Sequence, residues 1–386
     1  ATILQTIGVK YIGAQLPLVQ GVSFAGVATM VAIVTTGGGL PAVYGAVIVA
    51  SLIGFFLAPY FSKIIRFFPP VVTGSVITII GLSLLPVAVR WMMGGNKTAP
   101  NWGSIENISL ALLTLAIVIG LNMLQSPTMR RLSILVSIIL GTCIAYILGF
   151  GDFSHITNGA WIQAPSVFAF GLPVFEFTAI LSMLIVTLVI MTETTADIIA
   201  VGEIVGTKVD AERIAAGLRA DMLSSAAAPI LGSFMQSAFA QNVGLVAITG
   251  IKSRFVVAAG GGILVILGLL PIMGRLIAAI PFPVLGGAGL VLFGTVAASG
   301  IRTLAKVDYN EQKNLIIVAT SIAAGMIPII DYSFFINFPK WVQTLFHSGI
   351  SSTCIMAILL NLLFNHLPSS KRKSVTKNKI LQEAHH

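Results

Sequence analysis

Apolar runs about as long as a bilayer is thick recur along almost the whole chain, and they dictate what it can fold into. Clear runs occupy 70–89, 107–124, 132–150, 174–192, 255–273, 283–299, 314–330 and 350–364. Less uniform ones lie near 17–36, 40–58 and 214–232, and 234–250 is the most broken. Roughly 20 apolar residues in a helix cross a hydrocarbon core of about 30 Å. The spacing therefore predicts an all-α polytopic membrane protein with about twelve spans. Hydrophobic residues make up 56% and charged residues 9% of 386, too few charges to solvate a soluble domain. Membrane β-strands would show strict alternation over about ten residues, which these runs lack.

Charge orients the spans. With residues 1–15 inside and each run crossing once, 18 of the 22 Lys and Arg fall on the inner side. Only Arg90, Lys97, Arg275 and Lys340 fall outside, as the positive-inside rule requires. The weak spans are needed for this result, because dropping 234–250 inverts every later loop. The net charge of +9 thus calls for no nucleic-acid partner. The tail Lys371-Arg372-Lys373 is expected to meet anionic lipid or solvent on the cytoplasmic side. Cys143 and Cys354 are solitary and read as two buried small residues rather than a disulfide or metal pair. The five histidines do not cluster, and His155 and His347 are expected in outer loops. The opening Ala1-Thr-Ile-Leu-Gln-Thr resembles the tail of a hydrophobic segment, so an N-terminal truncation is expected.

Two spans are interrupted. Residues 16–27 (Leu-Pro-Leu-Val-Gln-Gly-Val-Ser-Phe-Ala-Gly-Val) and 232–250 cluster Gln, Ser, Phe and Gly where a helix should be continuously apolar. Non-helical backbone at membrane depth survives only where it lines a cavity or is buried in protein. Paired interruptions in two halves point to an inverted-repeat transporter with its site where the broken backbones meet. Glycine runs at 37–39, 260–262 and 286–287 read as helix-packing positions, none having the lysine partner of a phosphate loop. Pro17, Pro271, Pro281 and Pro283 are expected at kinks or span ends.

Charges inside spans are expensive and therefore informative. Glu193 and Asp197 sit four apart, one helical turn apart on one face. Asp221 follows Arg219 near the start of the next span. Each carboxylate must be paired, protonated or hydrated at that depth, which suits a proton-coupled carrier. Gln241 and Asn242 add planar amides that can match the donor–acceptor edge of a nucleobase. Asp331 and Glu176, at outer span ends, read as structural. No Gly-x-Ser-x-Gly, no metal-ligand His pair and no Ser/His pair at membrane depth supports an intramembrane enzyme.

At these residues the chain resembles a known family. Gln241-Asn242-Val243-Gly244 through Thr249-Gly250 is similar to the signature of the nucleobase–ascorbate transporter family, the second nucleobase–cation symporter family. Supporting matches are Leu16-Pro17 with Gln20-Gly21-Val22-Ser23-Phe24, Glu193-Thr-Thr-Ala-Asp197, Gly217-Leu-Arg-Ala-Asp221 and Leu285-Gly-Gly-Ala-Gly289. The resemblance implies fourteen spans in two inverted sets of seven, with core and gate domains and a short strand in each of two broken spans. Mapped here, it implies core at 1–60 and 173–277, gate at 61–172 and 278–367, and a basic cytoplasmic tail at 368–386. The first span and most of the second would be missing.

The resemblance also implies roles. Glu193 and Gln241 would hydrogen-bond the base, with further contacts from backbone around Phe24, Ala25 and Gly244. Asp221, Asp197 and Asn242 would serve coupling or gating, while Thr249 and Gly250 would shape specificity. Gly232 and Met235 depart from the family's usual Asn and Pro. Gln rather than Glu at 241 favours purine over uracil, and Ala25, where typical xanthine carriers have Asn, leaves room for an extra oxo group. The implied protein is a bacterial inner-membrane permease for urate, with xanthine next. It would need no cofactor beyond a coupling proton, bind no metal, and pair as a homodimer through its gate domains. A uracil or other nucleobase symporter, and a sulfate-type anion carrier of the same architecture, are the alternatives.

Overall fold

The computed structural model describes residues 1–61, 68–150, 156 and 159–366, and only the backbone of residues 240, 241, 244, 247, 248 and 366. Lys63, Arg66, His155 and the basic tail lie outside the described residues. The chain opens with α1 (Thr2–Ile7), strand β1 (Gln20–Val22), α2 (Val27–Ile33) and α3 (Gly39–Leu57). Three long helices follow: α4 (Pro70–Met92), α5 (Ile105–Met123) and α6 (Pro127–Ile147). The second half repeats the theme with α7 (Phe177–Val205), α8 (Ala211–Ala227), strand β2 (Gln236–Ala238) and α9 (Ala240–Thr249). It closes with α10 (Arg254–Gly268), α11 (Pro271–Ala278), α12 (Phe282–Leu304), α13 (Gln312–Ile330), α14 (Lys340–Phe346) and α15 (Gly349–Asn361).

Local chemistry sets these boundaries. Proline opens α4, α6 and α11, where its missing N–H would have no helical partner. Ser104 and Asp210 cap α5 and α8 by accepting the amides of Asn107 and Arg213. Among the described residues seven helices are long and apolar enough to cross a membrane, and two more spans form if each bent pair is counted as one. Those pairs are α10 with α11, bent by 82°, and α14 with α15, bent by 87°. The longest of these runs from Phe24 to Tyr60 and takes in the 40–58 segment and the part of 17–36 that follows β1.

Two local expectations are corrected. Gly37 and Gly39 serve backbone shape rather than packing: both have positive φ, 105° and 65°, and they break the run between α2 and α3. Cys143 is exposed on α6 rather than buried, while Cys354 is buried as expected. His347 lies in the short link between α14 and α15 and is buried there, with its ring centroid 4.1 Å from that of Tyr332.

Both interrupted segments contain a strand, and the strands pair antiparallel with Gln20 opposite Ala238 and Val22 opposite Gln236. Flanking bonds from Ser23 N to Met235 O (2.8 Å) and from Phe239 N to Val19 O (3.0 Å) extend the pairing. Each strand thus satisfies the other's backbone where no water is available, which is why neither could sit there alone. Gly21 suits this crossing, since a Cβ there would lie 2.6 Å from Phe239 Cζ and the ring would have to shift.

The helices pack in two groups. In one, α3, α7 and α8 pack on each other, with β2 and α9 against α7 and with α1 on α10. In the other, α12 packs along α4, α5 and α6, and α13 and α15 pack on each other and on α4. Helix contact inside a bilayer relies on close packing, and the α4–α12 seam shows it. A Cβ at Gly81 would lie 2.2 Å from Ala297 N, and one at Gly300 would lie 2.3 Å from Thr78 N. Gly286 and Gly287 likewise approach the backbones of Met92 and Ala111, as the packing reading expects.

Candidate functional site

A cavity of about 510 Å³ lies where the two helix groups meet. The strand pair supplies one wall: Ser23, Phe24 and Ala25 run on from β1, while Ser237, Ala238 and Phe239 carry β2 into α9. Helix α7 supplies Glu193 and Asp197, both half-buried, with Ala196, Ala200 and Ile204 beside them. The facing wall comes from the other group, with Ile77 and Ile80 of α4 opposite. From α12 come Thr295, Ser299, Arg302 and Thr303, and from the turn just after it Lys306.

The break in each span shapes this wall. The Ser23 hydroxyl accepts the amide of Ala25 at 3.2 Å, turning the chain from strand into helix beside the cavity. The Phe24 ring packs edge-on against Phe293 of α12, centroids 5.8 Å apart, and Phe293 in turn lies 6.2 Å from Trp91. An aromatic face from one helix group therefore abuts an aromatic pair from the other at the cavity edge.

Of the residues expected from sequence, Glu193, Asp197, Phe24 and Ala25 come together in this cavity. Among the described residues neither Glu193 nor Asp197 has a hydrogen-bond or ion-pair partner. Gln241 lies in the first turn of α9, directly after β2, and Gly244 one turn further on. The Gln241 side chain is outside the described residues. Asn242 is buried elsewhere: its Nδ2 donates to Pro17 O at 2.9 Å, tying α9 to the first broken span. Thr249 and Gly250 are exposed at the end of α9 and do not line the cavity. Gly250 takes a left-handed conformation there, with its N–H donating to Val246 O.

Asp221 is buried behind the wall rather than in it. Thr194 Oγ1 donates to one of its oxygens at 2.6 Å and Gln20 Nε2 to the other. Asp331 lies outside the spans, where the Ser333 hydroxyl and amide bond its carboxylate and hold it below the usual carboxylate range. That is a turn-stabilising role, as its position suggested.

Sequence reasoning did not anticipate the α12 wall. Thr295, Ser299, Arg302, Thr303 and Lys306 recur at helical spacing and form one stripe. The stripe was detectable, but Arg302 and Lys306 were already accounted for as inner-side charges. The cavity consequently holds two carboxylates and two cations, not acids alone. A concave site of this size, mixing apolar side chains with charged and hydroxyl groups, suits a small organic solute.

A cavity walled by two strand-paired broken spans within apolar helices defines a membrane permease of the inverted-repeat class. The transmembrane domain of a cyanobacterium bicarbonate transporter, BicA, has this fold: TM-score 0.58 at 16% identity, over 90% of this chain and 84% of that one. The Permease family profile matches residues 1–332, and the chain belongs to that family, the nucleobase–ascorbate transporters. It is 40% identical to the uric acid permease PucJ of Bacillus subtilis, over 95% of this chain and 82% of that protein. It is 36% identical to the xanthine permease of the same organism, over 96% of this chain and 84% of that one.

Proposed function

We propose that this permease imports a purine base, urate by preference and xanthine next, by proton symport across a bacterial inner membrane. The observation that carries the reading is the placement of Glu193, without a partner among the described residues, in a cavity bordered by both broken strands. A purine offers ring N–H donors and exocyclic oxygens along planar edges. Glu193 would accept N–H groups, and Gln241, next to β2, would read the opposite edge with its amide. Backbone at Phe24, Ala25 and Gly244 would complete the contacts. A site of this kind rejects solutes lacking those groups by leaving its own polar atoms unpaired. The names of the relatives support the substrate class.

The packing supports a movement of one helix group against the other. The strand pair, α7 and α8 would travel as one body, the core, against a gate built on α4 and α12, carrying the base from one face to the other. Asp197 and Asp221 would couple that movement to a proton, since protonation changes which position is favoured. The C-terminus would lie in the cytoplasm, and two copies would pair through their gate domains.

A second reading, an inorganic-anion carrier on the same architecture, draws on Arg302 and Lys306 in the cavity wall. Competition decides between them. Uptake of labelled urate should fall with unlabelled xanthine and be unmoved by sulfate; the opposite pattern would establish the anion carrier. Within the purine reading, Ala25→Asn should move preference toward xanthine, and an unchanged competition profile would refute the role given to Ala25.

A further inference from the structure

The acid buried behind the cavity reaches its wall through two side chains, Gln20 and Thr194. Asp221 is surrounded by donors: Gln20 Nε2 from β1 on one oxygen, the Thr194 hydroxyl from α7 on the other. Such an arrangement fits an ionised carboxylate, which only accepts. Thr194 Oγ1 also receives the amide of Ala238 on β2 at 3.3 Å. The backbone of Gln20 is held on both sides by Thr2, whose hydroxyl donates to Gln20 O and accepts Gln20 N–H, each at 3.0 Å. The far end of the same amide is the anomaly: Gln20 Oε1 is buried without a hydrogen-bond partner. An orphaned buried oxygen needs a reason, because it gives up hydration for nothing. The charged groups that reach Asp221 are Asp197 on α7 and the amino group of Ala1. Helix α3 and strand β2, packed on the same helix, bring no charged side chain.

The Gln20 primary amide exchanges donor for acceptor by a half-turn without changing shape. Beside ionised Asp221 it must present Nε2. Beside protonated Asp221 it can present Oε1 and accept the new O–H. We propose that Gln20 is a positioning residue that reads the charge of Asp221, its amide turning when Asp221 takes up a proton. The proton binds Asp221 at the oxygen facing Gln20, and no other covalent bond is made or broken. Gln20 opens β1, and three residues later the same strand becomes the cavity wall at Ser23, Phe24 and Ala25. The half-turn therefore changes how β1 is anchored where the substrate would sit. This inference rests on the proton-coupled reading above.

The test compares wild type, Gln20→Met and Thr194→Val in proteoliposomes under an imposed pH gradient. Gln20→Met keeps length and flexibility but has no amide. It should bind urate without a gradient within about threefold of wild type, yet lose gradient-driven accumulation and flatten the pH profile of uptake. Gln20→Met with wild-type accumulation and pH profile overturns the inference while leaving proton symport intact. Loss of coupling in Thr194→Val alone overturns it as well, since the hydroxyl would then be the reader. Wild type that ignores the gradient overturns both readings. Should Gln20→Met fail to fold, infrared difference spectra of wild type with labelled glutamine amides provide the check. A glutamine C=O band should move to lower frequency on acidification and stay still in Asp221→Asn; no band shift in wild type overturns the inference.

Discussion

Replacing Gly21 by alanine should disable the site without touching a charged group. Gly21 pairs with Ser237 at the centre of the two-strand crossing, and its α-carbon faces the ring of Phe239. A methyl there would lie 2.6 Å from Cζ and 2.8 Å from Cε2, whereas ordinary contacts begin near 3.4 Å. The ring must therefore retreat by close to an ångström, or the strands must part. Phe239 lines the cavity, so a swing of the ring fills part of it, space that the proposed function gives to the base. Overpacking of this sort costs about 1–3 kcal/mol. Spent entirely on binding, that raises KM roughly fivefold to a hundredfold, at about 1.4 kcal/mol per factor of ten. Spent on the fold, it lowers Tm at unchanged KM. The assay is urate uptake and thermal stability for Gly21→Ala, Phe239→Leu and the double variant. Leucine vacates the ring position, so the double variant should recover most of the loss, giving a coupling energy of about 1 kcal/mol or more. A Gly21→Ala protein within twofold of wild type, or losses that simply add, would refute the steric argument.

Other expectations follow from the same coordinates. Asn242→Ala leaves Pro17 O buried without its donor, so the protein should lose about 1–3 kcal/mol of stability, read as a lower Tm in detergent; an unchanged Tm contradicts that role. Gly81→Ala drives a methyl into the Ala297 backbone along the α4–α12 seam, so folded yield should collapse even though the site is untouched. Normal yield would show that the seam can open. Arg302→Gln with Lys306→Gln should raise KM for anionic urate at least threefold more than for an uncharged base at the same pH. An equal effect on both would show that the pair acts only on folding or orientation.

The sequence made the spans and the broken segments legible for a physical reason. Apolar length is a local property, and Pro17, Gly21 and Gly232 punctuate the chain wherever they fall. Glu193 and Asp197 could be placed on one face because four residues make about one turn. Spacing alone could not show that β1 and β2 pair with each other, since the partners lie far apart in sequence and three-residue strands carry little pattern. The same limit hid the contact from Gln20 to Asp221, 201 residues away. Asn242 adjoined the expected site in sequence yet points to Pro17, because adjacent helix residues face different directions. Arg302 and Lys306 were visible as charges and were assigned to the inner loops, where the positive-inside rule already explained them. Only the packing of α12 and the turn after it against the cavity shows that both also line it.

The central claim is that a proton and a purine move together through a cavity in which Glu193 meets the base. Accumulation of labelled urate in proteoliposomes, acid outside and neutral inside, tests it most directly when wild type and Glu193→Gln are compared. The account predicts concentrative uptake by wild type that collapses with a protonophore, and no concentrative uptake by Glu193→Gln. Accumulation by wild type that ignores the gradient, or full gradient-driven accumulation by Glu193→Gln, would contradict it.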